Sequence, residues 1–110
     1  MAKSMMSRAC DISPKVRAEV FERDGGRCIY CGSTYGLQTA HFIPRSQGGL
    51  GIPDNLSLLC VNCHTALDNG ADSELRKDIG RAFAEHLKAI YPEWDKAKLI
   101  YRRWERGSPD

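Results

Sequence analysis

The sequence predicts a small α+β domain, and three observations carry that prediction. Apolar residues recur at helical spacing near both ends of the chain, two short strand-like runs flank a long loop in the middle, and two C-x-x-C pairs bracket those runs. At 110 residues with 42% hydrophobic content, the chain suits one soluble globular domain over residues 1–110. Its middle, between Gly25 and Gly70, is rich in Gly, Pro, Asn and Ser, so it cannot bury a large apolar core by itself. That section needs a staple.

Residues 1–12 carry Lys3 and Arg8 without an apolar period and read as a flexible arm. Ser13 and Pro14 are the cap and first residue of a helix that carries Val16, Val20 and Phe21 and stops at Gly25-Gly26. "GLQTAHFI" and "NLSLLC" read as two strands of a hairpin joined by the loop "PRSQGGLGIPD". From Val61 the period changes, and Cys63, His64, Leu67 and Asp68 fit a short helix ending near Asn69-Gly70. These elements make a central unit over residues 13–70. Over residues 71–110, Leu75, Ile79, Ala82, Phe83, Leu87 and Ile90 form an apolar stripe. Pro92 breaks it, and Ala97, Ile100, Tyr101 and Trp104 continue a second stripe. A helical hairpin or kinked helix covering the centre is expected there.

The five cysteines divide into four plus one. Cys28 with Cys31, and Cys60 with Cys63, can each wrap a tight turn around one side of a tetrahedral zinc ion, whereas Cys10 stands apart as a spare thiol. The alternative, a pair of disulfides in a secreted protein, conflicts with a start, "MAKSMMSRACDI", that has no apolar run long enough for a signal peptide. No membrane-spanning run follows, so an intracellular, cytoplasmic protein is expected. Lys plus Arg number 16 against 14 for Asp plus Glu, a formal charge of +2 that is compatible with nucleic acid without demanding it.

Between the cysteine pairs lie His41 and Asn55, and just beyond them His64 and Asp68. His64 and Asp68 are four apart on one helical face, where an imidazole and a carboxylate can hold a divalent metal. The segments "CIYC", "AHFIPRSQGG" and "DNLSLLCVNCH", with Asp68, resemble the HNH endonucleases that carry a four-cysteine zinc ribbon, the ββα-metal nucleases, over roughly residues 24 to 69. The resemblance implies a ββα-metal unit stapled by zinc on Cys28, Cys31, Cys60 and Cys63, with an N-terminal helix and a C-terminal helical extension. It implies cleavage of phosphodiester bonds in DNA, and small proteins of this type are common in phages and prophages; nicking of one strand is the natural outcome for a monomer with one site, and a monomer or weak dimer is expected. His41 takes the position of the general base, Asn55 that of the residue bracing the long loop and so orienting His41, and His64 that of a ligand to the catalytic metal. Asp68 occupies a position that often supplies another ligand. Manganese or magnesium suits such a site, since both keep several waters and accept substrate oxygens. One departure stands out: many members have Asp or His immediately before the first histidine as a ligand, and this chain has Ala40.

Arg45, with Gly48, Gly49 and Gly51, forms a loop able to approach a phosphate backbone. The run "YRRWER", with Lys96 and Lys98 upstream, combines basic and aromatic residues suited to nucleic acid, although Trp94 and Trp104 at helical spacing are more often core. His86 lies beside the C-terminal stripe and reads as a packing or surface residue. His64 has a second reading, a hydrogen bond to a zinc thiolate. Two rival functions follow from the same residues: a non-catalytic zinc DNA-binding module, and a zinc-stapled protein-interaction domain.

Overall fold

A computed structural model describes residues 4–102. Its centre is a two-stranded antiparallel sheet, β1 (Leu37–His41) and β2 (Leu56–Cys60), in the register Leu37 opposite Cys60 and His41 opposite Leu56. Every residue of β2 is buried. Leu56 and Leu58 pack with Val20, Val16 and Ile12, while Leu59 belongs to a second cluster with Ala40, Phe83, Ile79 and Leu87. The strand is thus covered on both faces, which explains why "LSLLC" reads as a continuous apolar run rather than an alternation.

Helix α1 (Met5–Cys10) and helix α2 (Pro14–Arg23) precede the sheet, and α3 (Val61–Asn69) and α4 (Ser73–Ile90) follow it. The start of α2 follows its sequence signal: Ser13 Oγ accepts from the amide of Val16 at 3.1 Å, with Pro14 in the first turn. Val20 is fully buried, but Phe21, counted in the same stripe, is 51% exposed. In α4, Asp72 Oδ1 caps the first turn through the amides of Glu74 and Leu75, and Ile79, Phe83 and Leu87 face the core four residues apart. Phe83 and Trp94 each meet Phe42 edge-on, with ring centroids 5.3 and 5.5 Å away. Trp94 also donates from its indole nitrogen to the Asp54 carbonyl at 2.8 Å, so it is a packing residue here.

Two expectations are corrected. The stretch read as a flexible arm, residues 1–12, contains α1, capped by Ser4 and ending in Cys10, which is 1% exposed. Its attachment does not run through an apolar stripe, since Met5 and Met6 are exposed; it runs through backbone, with the Gly51 amide donating to the Ala9 carbonyl at 3.0 Å. A Cβ on Gly51 would lie 2.1 Å from the Asp11 carbonyl oxygen, so the close approach requires glycine. The second correction concerns the stripe after Pro92. It forms a 3-10 turn, Lys96–Leu99, and then an extended return in which Ile100 bridges Gly49. The amide of Leu50 donates to Leu99 and that of Tyr101 to Gly48, at 2.8 and 2.7 Å, so the long loop captures the chain before another helix can form. Trp104 lies outside the described residues.

A polar hub joins α2, β2 and α4. Arg23 donates to the carbonyls of Pro53 and Leu56, to Ser57 Oγ and to the Tyr91 hydroxyl, while Asp24 accepts from Arg23, from the Leu58 amide and from His86 Nε2. Burial alone would raise the Asp24 pKa, but the hydrogen bonds from His86, Arg23 and Leu58 outweigh it and hold the carboxyl below its ordinary value. Among the described residues, no helix is long and apolar enough to cross a membrane.

Candidate active site

The sulfurs of Cys28, Cys31, Cys60 and Cys63 all lie within 4.8 Å of one another, and Cys31 and Cys60 are 3.6 Å apart. Tetrahedral zinc with bonds of about 2.3 Å sets its sulfurs about 3.8 Å apart, so this donor set fits a closed zinc site. None of the four is in a disulfide. Burial would raise the Cys28 thiol, yet backbone N–H groups of Cys31, Cys60 and Tyr30 bring it down to about 7, while burial and the neighbouring sulfurs push the Cys63 thiol up. Cys60 also caps α3, its sulfur accepting from the Cys63 amide at 3.4 Å. The staple therefore fixes the start of the helix that carries His64.

Beside it opens a cleft of about 490 Å³ lined by His41, Pro44, Arg45, Ser46, His64 and Asp68. His41 arrives from the end of β1, His64 and Asp68 from one face of α3, and Arg45 from the loop between the strands. Asn55 does not line the cleft. It is fully buried behind the loop, where its Oδ1 accepts from the Ile43 amide at 2.8 Å and its Nδ2 donates to the carbonyls of Ile43 and Leu50 at 3.2 and 2.9 Å. One amide thereby ties both arms of the loop together directly after His41.

His41 Nε2 is 2.9 Å from the carbonyl oxygen of Cys10. A carbonyl only accepts, so Nε2 carries the hydrogen and Nδ1 is the bare nitrogen of the neutral ring. Burial is the main influence lowering the His41 pKa; the Cys10 carbonyl raises it, while the charges of Arg45 and His64 add to the lowering. Burial and these charges both favour the neutral ring. Arg45 pairs with Asp11 at 3.0 Å and keeps 45% of its side chain exposed.

His64 Nδ1 lies 2.6 Å from Gln38 Oε1, and its Nε2 lies 3.1 Å from Asp68 Oδ2. Both ring nitrogens are engaged away from the thiolates, against the reading in which His64 bonds a cysteine sulfur. Ala40 is fully buried against the Phe83 cluster and offers no ligand. Gln38, Ser46 and the Cys10 carbonyl escaped the sequence reading: the first two look like ordinary polar residues, and the third is backbone. Alternation along β1 was the one available signal, since it sets Gln38 on the face shared by Ala40.

Residues 28–70, which hold the four cysteines, the two strands and α3, match the family model described as HNH endonuclease. The chain is 35% identical over 63 residues to the type IV methyl-directed restriction enzyme EcoKMcrA of Escherichia coli (strain K12), a match covering 49% of this chain and 23% of that enzyme. It also superposes on the structure of the type IV phosphorothioation-dependent restriction endonuclease ScoMcrA with a TM-score of 0.62 and 24% identity, over 84% of this chain and 19% of that one. The chain thus spans about a quarter or less of either relative's length.

Proposed function

We propose that this protein is a divalent-metal-dependent endonuclease that hydrolyses phosphodiester bonds in DNA, nicking one strand. The observation that carries the reading is the cleft itself, in which a neutral histidine of fixed tautomer faces a His–Asp pair beside an arginine. His41 acts as general base: Nδ1 takes a proton from water as the water oxygen bonds to phosphorus and the bond to the leaving oxygen breaks. His64 Nε2 and Asp68 Oδ2 hold the metal ion. Manganese fits this nitrogen-plus-oxygen pair better than magnesium, and when bound it neutralises charge on the phosphate and leaving oxygen. Arg45 exchanges Asp11 for a substrate phosphate, and Asn55 keeps the loop, and so His41, in place. Zinc on Cys28, Cys31, Cys60 and Cys63 is structural, because a closed thiolate site has no open position.

The central unit of residues 13–70 works together with α1, whose Cys10 carbonyl holds His41, and is covered by residues 71–102, in a single domain that works as a monomer or weak dimer. Four reduced thiols and a DNA substrate fit an intracellular setting. A second reading, a zinc-stapled DNA-binding module without catalysis, is favoured by Ala40, which leaves two protein ligands where many HNH nucleases have three.

Relaxation of supercoiled plasmid by zinc-loaded protein, with manganese or magnesium and with His41→Ala as control, tests the proposal. Metal-dependent nicking lost in the variant supports it; salt-dependent DNA binding without nicking favours the second reading. Plasmids with and without methylated bases or phosphorothioate linkages test whether the modification dependence named for the two relatives extends to this chain.

A further inference from the structure

We propose that Gln38 is a positioning residue for His64, its side-chain oxygen selecting which ring nitrogen is left for a metal ion. The inference rests on the reading of His64 and Asp68 as metal ligands. Oε1 of Gln38 carries only lone pairs, so at 2.6 Å it accepts the hydrogen of His64 Nδ1. In the neutral ring this leaves the lone pair on Nε2, the nitrogen that lies 3.1 Å from Asp68 Oδ2. In that form the two electron pairs repel each other at this distance, and a proton or a metal ion held between them relieves it. Neighbouring ligands around an octahedral ion with bonds of about 2.1 Å are themselves about 3 Å apart, so the spacing suits one ion.

The strand supplies a further reason. Alternation puts Gln38 on the face of β1 that carries Ala40, two residues later, where many HNH nucleases carry a ligand. The methyl of Ala40 is buried in the core, and the polar group this face presents to α3 is the amide of Gln38. Here β1 orients a ligand on α3 where the usual pattern has it donate one. A histidine whose second nitrogen is held by an acceptor keeps its tautomer and ring angle before the metal arrives, and loss of such a partner typically weakens metal binding about 10–100-fold.

The test is binding of manganese to the zinc-loaded full chain, followed through the electron paramagnetic resonance signal of the free ion, in wild type, Gln38→Met, Gln38→Glu and His64→Ala. Gln38→Met keeps the length and removes the acceptor; it is expected to raise the dissociation constant about 10–100-fold. Gln38→Glu keeps an acceptor oxygen and is expected to bind as wild type or tighter. Equal weakening in both Gln38 variants would overturn the inference, because the oxygen would then be irrelevant. Wild-type affinity in Gln38→Met beside lost affinity in His64→Ala would also overturn it while leaving the metal site intact. Equal affinity in wild type and His64→Ala would remove both.

Discussion

His86 meets Asp24 at 2.8 Å and His64 meets Asp68 at 3.1 Å, each through Nε2 and one carboxylate oxygen, yet the two pairs sit in opposite surroundings. The Asp24 side chain is 0% exposed and also accepts from Arg23 and the Leu58 amide, whereas that of Asp68 is 48% exposed at the rim of a cleft. A saturated, buried carboxylate is committed to holding three elements together. A half-exposed carboxylate with one imidazole for company keeps lone pairs for something else. The same two residue types thus serve as a joint in one place and as a candidate ligand set in the other, and what differs is how many further donors reach the acid.

Removing zinc should erase the contrast, because both pairs depend on the stapled centre. Structural zinc contributes about 10–16 kcal/mol in small peptides, against about 5–15 kcal/mol for the total stability of a domain. Cys60→Ala, or chelation of the wild type, is expected to unfold the central unit, and a melting curve unchanged by either would mean the four sulfurs hold nothing. Asp24→Ala comes next. It leaves Arg23 buried without its counter-charge and is expected to cost about 3–5 kcal/mol, while Asp68→Ala should stay within about 0.5 kcal/mol. Urea denaturation of the two zinc-loaded variants checks the difference, and the reverse order would break the comparison.

On the cleft side, His41→Ala should keep the fold and zinc and slow nicking about 10²–10⁴-fold. Nicking at the wild-type rate would remove His41 from the chemistry. Acid should separate the regions more gently. The folded-state pKa of Asp24 is depressed, so the stability it supplies is present above the ordinary carboxylate range and is lost as pH falls through the lowered value. Asp24→Asn is expected to flatten the fall of stability with acid. The smallest effect belongs to Arg45. His41 is held below its ordinary value of 6.5, chiefly by burial and in part by the Arg45 charge, so the acid limb of the rate profile should lie below pH 6.5. Arg45→Gln should move that limb upward, and a limb that stays put would detach Arg45 from the base.

Spacing made much of this molecule legible. Two C-x-x-C pairs, a Ser-Pro helix start, a four-residue step from His64 to Asp68 and the stripe of α4 are all local patterns, and each has its counterpart in the structure. Spacing alone put His64 and Asp68 on one helical face; that Arg45 and His41 line the same cleft is visible only in the structure. What escaped was carried by groups that leave no periodic trace. The docking of α1 runs through the carbonyls of Ala9 and Cys10. The adjacent charges Arg23 and Asp24 look like solvated surface until His86, 62 residues away, closes on them. The second C-terminal stripe misled because Ala97, Ile100 and Tyr101 keep helical spacing while a 3-10 turn and an extended return satisfy it instead.

The glycine-rich loop between the strands is gripped from two directions: α1 holds Gly51 through Ala9, and the segment around Leu99 to Tyr101 holds Leu50 and Gly48. These grips close within a few residues of Arg45, and Asn55 ties the two arms of the same loop together at Ile43 and Leu50, just after His41. In mechanical terms the cleft hangs between two guy lines, one running to each end of the described chain. Tension on either line, from a fused domain, a tag or DNA pulling on a neighbouring segment, falls on the cleft itself: the C-terminal line pulls on Gly48 and Leu50, and the N-terminal line on Gly51 and, through the Cys10 carbonyl, on His41.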